Sequence, residues 1–261
     1  MELHLEKKNA LILASSQGLG KAMAAELVKE GANVMLASRD GEKLAAVQRE
    51  LSQLGAGKVS YLVTDITKAE DIKNLVGQTA KEFGGIDILI NNAGGPPGGS
   101  FTDFNDEEWQ QSFELNLLSF IRTIRESLPH LKKQGGKIVN IASSSIKEPI
   151  PGLILSNTFR TAIVGLSKTL ASELAPDGIL INTVGPGRIA TDRVQHLDKM
   201  NAEKQGVTPE EVTEQSINKI PLGRYGEPEE FAKFVTFLVS GANTYLTGQS
   251  YLVDGGLIKS I

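Results

Sequence analysis

Residues 10–39 read ALILASSQGLGKAMAAELVKEGANVMLASR. The apolar run at 10–14 is a buried strand by pattern, and a turn containing Gly18 and Gly20 follows it. Residues 21–30 carry a helical pattern that stops at Gly31, and 33–37 are a second apolar run of strand length. A strand, a helix and a strand in so short a stretch make a βαβ unit, whose two strands lie parallel.

The alternation continues along the chain. Residues 41–54 read as a helix, 59–63 and 86–90 as strands with a helix near 69–83 between them, and 109–133 as one long helix. Residues 138–141 read as a strand, 160–174 as a helix, and 179–184 and 250–253 as the last strands. Right-handed crossovers then predict an α/β fold: one doubly wound parallel sheet with helices on both faces and ligands at the carboxyl ends of the strands. No linker or repeat divides residues 1–261. The least regular segment, 191–222, is polar and charged with a helical patch at 209–219, and is expected to be a substrate lid within the domain.

Composition narrows the function. A chain of 261 residues with 40% hydrophobic and 22% charged residues can bury a large core without staples. The absence of cysteine excludes disulfides, thiolate catalysis and cysteine-based zinc sites, and no metal site is expected. A net charge of −4 without a run of one sign argues against a nucleic-acid partner. The opening MELHLEKKNALIL mixes Glu2, Glu6, Lys7 and Lys8 into its apolar run, unlike a secretory leader, and no apolar stretch approaches the roughly 18–20 residues of a membrane span. A cytoplasmic protein without a membrane partner is expected.

The turn after the first strand is Leu13-Ala14-Ser15-Ser16-Gln17-Gly18-Leu19-Gly20. Glycines there let the backbone approach a pyrophosphate at a helix N-terminus, although Gly-x-Gly also occurs in ordinary β–α turns. The second strand ends in Ser38-Arg39 where an NAD-selective site would carry an acid, and Asp40 lies one position further out. Arg39 suits a 2′-phosphate; the alternative is a solvated charge at a strand end. Asp65-Ile66 follows the third strand, Asn91-Asn92-Ala93-Gly94 the fourth, and Pro186-Gly187 with Ile189 and Thr191 the sixth. Arg224-Tyr225-Gly226-Glu227-Pro228-Glu229-Glu230, Thr247-Gly248 and Val253-Asp254-Gly255-Gly256 close the series.

As a set, from about residue 7 to 257, these motifs resemble the short-chain dehydrogenase/reductase family, and within it the 3-oxoacyl-thioester reductases. The resemblance implies a Rossmann-like domain and an NADP cofactor, with NAD second. It implies cofactor contacts from Ala14, Ser16, Gln17, Gly18, Leu19, Gly20, Ser38, Arg39, Asp65, Ile66, Asn92, Ala93, Gly94, Pro186, Gly187, Ile189 and Thr191. The family's first glycine is Ala14 here and its Thr is Leu13, so the turn is expected to hold if Ala14 keeps a negative φ.

The implied catalytic positions are Asn116, Ser143, Ser156 and Arg160. In the family a Ser is followed by a Tyr-x-x-x-Lys pair; here Ser156 takes the Tyr position and Arg160 the Lys position. The 13-residue step from Ser143 to Ser156 is a common one in the family, and the four-residue step to Arg160 puts both on one helical face. A serine hydroxyl is a far weaker acid than a tyrosine, and arginine cannot relay a proton. Arg160 could still bind ribose hydroxyls or an anion. Lys168 belongs to the following L-x-K-x-L pattern, Phe159 cannot donate a proton, and Tyr61, Tyr225, Tyr245 and Tyr251 lie outside the segment. His196 is a candidate replacement acid or a solvated residue, Lys147 a pocket or surface charge, and Ser144-Ser145 a polar lining or a plain loop.

The leading reading is an NADP(H)-dependent oxidoreductase acting on a small carbonyl or alcohol substrate with atypical proton delivery. The alternatives are a dinucleotide-binding sensor or structural protein, and a non-redox enzyme on the same fold. The resemblance also implies a homo-oligomer, tetramer or dimer, through helices 109–133 and 160–174, with Leu257, Ile258 and Ile261 at a second interface.

Overall fold

The computed structural model describes residues 1–260, so Ile261 and its part in the expected second interface lie outside the described residues. Seven strands form one sheet: β1 (Asn9–Leu13), β2 (Asn33–Ser38), β3 (Val59–Val63), β4 (Ile88–Asn91), β5 (Gly136–Ile141), β6 (Ile179–Pro186) and β7 (Ser250–Val253). Their order is β3-β2-β1-β4-β5-β6-β7 and every pairing is parallel. The order reverses between β1 and β4, and a crevice opens beyond the carboxyl ends at such a switch point.

Alternation with period two divides the core between the two faces. Ala10 and Ile12 of β1 share one layer with Val34, Leu36, Ile88, Ile90, Val139 and Ile141, covered by helices α1 (Gly18–Lys29) and α2 (Gly41–Leu51). Leu11 and Leu13 share the other with Met35, Ala37, Leu89 and Ile138, beneath α3 (Ala69–Phe83). Local chemistry sets the helix ends. The Asp40 side chain accepts from Lys43 N–H at 3.0 Å and caps α2. Helix α3 stops at Gly84, whose φ of +87° suits a residue without a Cβ.

The long helix expected at 109–133 is three pieces. Helix α4 (Asp106–Phe113), capped reciprocally by Asn105 and Glu108, runs into a π-helical turn at Glu114–Leu118 and then α5 (Ser119–Leu131). The widened turn carries Asn116, which is fully buried. Helix α6 (Ile154–Leu174) starts six residues before the expected 160, so Ser156 and Arg160 both lie inside it.

The segment expected to be irregular, 191–222, is mostly helical. It holds α7 (Asp192–Gln205) and α8 (Pro209–Ile217), the latter closed by a Thr208–Glu211 capping box. The signature around residue 224 starts a further helix, α9 (Pro228–Val239), which packs against α1. Glu230 accepts Glu227 N–H at 2.8 Å while both terminal nitrogens of Arg224 donate to its carboxylate at 2.7 Å. These contacts, led by the Arg224 hydrogen bonds, hold the Glu230 carboxyl down at about 2. Among the described residues no helix is long and apolar enough to cross a membrane.

Candidate active site

Parallel strands bring the predicted cofactor segments and Ser143 to the same edge of the sheet, while Asn116 is carried by the π-helical turn and Ser156 and Arg160 by α6. Leu13 ends β1, and the next residue takes a left-handed conformation with φ +48°, not the negative φ expected for Ala14. The turn needs that geometry, and it is held from outside: Asn92 Nδ2 donates to Ala14 O at 3.2 Å, from the loop after β4. Ser15 is fully buried, its hydroxyl donating to Ile12 O and accepting Ala37 N–H, both at 2.9 Å, which ties the turn to β2. Gly18 is also left-handed and faces Thr191. At Gly20 a Cβ would stand 2.2 Å from Ala14 O, so helix and turn approach too closely for any side chain. Ser16 and Leu19 are half-buried, and exposed Gln17 accepts from Lys43 Nζ at 2.9 Å.

A left-handed alanine costs on the order of 1 kcal/mol that glycine avoids. Ala14→Gly is therefore expected to raise unfolding stability by about 0.5–1 kcal/mol, read from the urea midpoint at unchanged m. A fall in stability would show that the alanine side chain makes a favourable contact outweighing this strain.

Ser38 is half-buried at the end of β2, and Arg39 is exposed beside it. Burial acts to raise the Asp65 carboxyl, but hydrogen bonds from Thr67 N–H (3.1 Å) and Oγ1 (2.8 Å), with Lys68 and Arg39 nearby, bring it below its ordinary value. Ile66 is buried in the core layer beneath α3. Asn92 is half-buried, Ala93 buried and Gly94 exposed. After β6, Gly187 lies against Asp254, where a Cβ would come within 2.6 Å of that side chain. Ile189 is buried and bridges to Gly226, and Thr191 caps α7.

Beneath this edge a polar row crosses the sheet. Asn91 Nδ2 donates to Asn140 Oδ1 at 2.8 Å; Asn140 Nδ2 and Thr183 Oγ1 both donate to Ser167 Oγ at 2.9 Å. Asn91, Asn140 and Thr183 are register partners on β4, β5 and β6, so in-register parallel pairing stacks their side chains on one face, toward α6. The row ties β4, β5 and β6 to α6, with Asn91 Oδ1 its one buried atom that takes no hydrogen bond.

Ser143 is half-buried just beyond β5, and its hydroxyl accepts Ser145 N–H at 3.2 Å. Asn116 donates to Ser112 O at 3.3 Å, while its Oδ1 is buried and takes no hydrogen bond from the protein. Ser156 is 9% exposed in the first turn of α6. Arg160, one turn on, is only 4% exposed. Its Nη1 donates to Ile141 O at 2.8 Å and its Nη2 to Ala93 O at 3.0 Å, so it pins the ends of β5 and β4 together. Burial, with repulsion from Arg193, lowers its pKa to about 10, which leaves it a cation at neutral pH.

Lys147 and His196 are exposed, and Lys168 reaches out to Gly248 O at 3.1 Å. Ser144 and Ser145 are buried. Sequence reasoning missed Arg193, two residues after Thr191. Its guanidinium donates to Pro96 O at 2.9 Å and lies over Gly95, in the loop that Arg160 holds by its other end. It also missed Asp198, buried in α7, which accepts from Arg188 at 2.7 Å and from the Tyr225 hydroxyl at 2.8 Å.

Comparison with known proteins agrees with this architecture over the whole chain. Residues 13–258 match the family model described as enoyl-(acyl carrier protein) reductase. The chain is 34% identical over 257 residues to the 3-oxoacyl-[acyl-carrier-protein] reductase of Thermotoga maritima, covering 98% of this chain and 100% of that protein. It is 36% identical to dehydrogenase/reductase SDR family member 4 of Homo sapiens, covering 97% and 88% respectively. Among solved structures, L-sorbose reductase from Gluconobacter frateurii complexed with NADPH and L-sorbose superposes with a TM-score of 0.95 at 32% identity, covering 100% of both chains.

Proposed function

The chain belongs to the short-chain dehydrogenase/reductase family, and from that premise we propose that it is an NADP(H)-dependent reductase of a small carbonyl compound. The observation that carries this reading is the turn after β1. Left-handed Ala14 and Gly18, with a Gly20 that admits no Cβ, form a backbone cradle at the N-terminus of α1, the setting in which amides and helix dipole favour a pyrophosphate. Ser38 and Arg39 at the end of β2 suit a 2′-phosphate, and Asp65, Ile66 and Asn92–Gly94 would line the adenosine side. Pro186, Gly187, Ile189 and Thr191 would flank the nicotinamide. The solved relative described with NADPH supports the same choice.

When bound, NADPH supplies the hydride for carbonyl reduction. The chain's own residues then have two tasks. The hydroxyls of Ser143 and Ser156 would donate to the carbonyl oxygen, and the Arg160 cation behind them favours negative charge developing there. Asn116 Oδ1, buried and free to accept, would hold a water that passes a proton from solvent to the product alkoxide. This replaces the phenol that the family carries at the Ser156 position. The segment 191–222 would close over the substrate, and we place the protein in the cytoplasm as a homo-oligomer.

Fluorescence titration with NADPH and NADH tests the reading. NADPH is expected to bind about ten- to a hundredfold more tightly, from charge-assisted contacts at Arg39. Addition of a 3-oxoacyl thioester and a quinone panel then asks for cofactor oxidation. Binding without oxidation across the panel favours a sensor; no binding of either nucleotide removes the cofactor assignment.

A further inference from the structure

The loop after β4 is gripped by two cations at once. Arg160 holds its start at Ala93 O from within α6, and Arg193 holds Pro96 O from the first turn of α7. The arginine ion pairs among the described residues are Arg188–Asp198 and Arg224–Glu230; neither Arg160 nor Arg193 has one. Each guanidinium spends part of its donor set on a neutral main-chain carbonyl and keeps its full charge. Burial depresses both, and they repel one another. Arg193 is exposed at the surface of the site and open to a ligand, whereas Arg160 is a buried cation without a counter-anion, which is costly unless an anion nearby offsets it.

Resting on the reductase reading above, we propose that the carbonyl substrate carries a carboxylate, held by Arg193 with Arg160 supplying field from behind. Arg193 is the contacting group. Arg160 is too deeply buried and too fully tied to Ile141 O and Ala93 O to reach far. The guanidinium fork matches a planar carboxylate edge to edge. Gly95 has no side chain to keep that group off the loop: a Cβ there would already stand 3.1 Å from Arg193 Nη2. Arg193 lies two residues after the Thr191 cap, in the first turn of α7.

Isothermal calorimetry of the intact protein tests this with malonate, its neutral counterpart malonamide and inorganic phosphate, each with and without saturating NADPH. Arg193→Gln keeps a donor for Pro96 O and removes the charge; Arg49→Gln, on exposed α2 surface, is the control. Malonate is expected to bind and malonamide not. Arg193→Gln is expected to weaken malonate about tenfold or more and leave the NADPH affinity within about twofold, while Arg49→Gln changes neither. Equal binding of malonate to the wild type and Arg193→Gln, or of malonate and malonamide to the wild type, overturns the proposal. So does a loss of NADPH affinity in Arg193→Gln without a loss of malonate, which would assign Arg193 to the cofactor phosphates. Phosphate bound in preference to malonate overturns the carboxylate class. Failure of NADPH to bind the wild type counts against the reductase reading alone, because the malonate measurement without nucleotide stands by itself.

Discussion

Ser156→Tyr combined with Arg160→Lys is expected to raise kcat for carbonyl reduction by about 10²–10⁴, the usual contribution of a positioned general acid. Ser156 lies in the first turn of α6 and Arg160 one turn later, on the helix face that packs beneath the loops after β4 and β5. A phenol at residue 156 beside a lysine at 160 would offer a proton donor whose pKa of ~10 a neighbouring cation lowers; a serine hydroxyl offers none in that range. The exchange has a structural cost. Lysine cannot span both Ile141 O and Ala93 O as the guanidinium does, and one buried carbonyl left without a donor costs about 1–3 kcal/mol. The variant is therefore expected to be more active and less stable, with the stability loss following Arg160→Lys alone. The measurement is NADPH oxidation against the carbonyl panel, with urea denaturation and NADPH binding on the same samples. No gain in kcat from a folded, NADPH-binding double variant would reject Ser156 as the proton-donor position.

Gly20→Ala is expected to have the largest effect on the cofactor cradle. The new Cβ would meet Ala14 O at 2.2 Å and Ser15 Cα at 2.8 Å, both backbone atoms. The turn cannot yield locally, because Ser15 is anchored to β1 and β2 and Ala14 O is held by Asn92. Either α1 shifts away from the sheet or the turn opens. A loss of about 3 kcal/mol of stability is expected, with NADPH binding weakened about a hundredfold. Gly85→Ala is the matched comparison, since nothing lies within 4 Å of a Cβ there, its φ is not positive, and it precedes β4 at the opposite edge of the sheet. It is expected to leave stability nearly unchanged. Equal effects from the two alanines, measured by denaturation and nucleotide titration, would show that the close approach at Gly20 is not what shapes the cradle.

Much of the fold was legible because its signals are local. Apolar runs such as 10–14 and 33–37 alternate with helical patterns, and each strand was placed within about two residues of its observed position. Helix α9 carried readable signals as well, with Pro228 at its first position and a Glu227–Glu230 capping box. Helix α7 did not. Its residues are mostly polar, with only Asp198 and Ala202 buried, and what docks it is a tertiary ion pair with Arg188 and a hydroxyl from Tyr225.

The sequence by itself determined the parallel α/β plan, the glycines of the first turn and the presence of Ser and Arg where the family carries Tyr and Lys, because these depend on residue type and spacing. Tertiary structure decided how the unusual residues are used. Ala14 is left-handed in a turn whose carbonyl is held by Asn92, 78 residues away in the chain. Arg160 is a buried clamp because carbonyls 19 and 67 residues away meet it beneath the strand ends. Arg193 joins it only because α7 folds back over the loop after β4, 97 residues from Pro96. The charge, burial and partners of a side chain are set by what long-range contacts bring to it, and no local pattern encodes them.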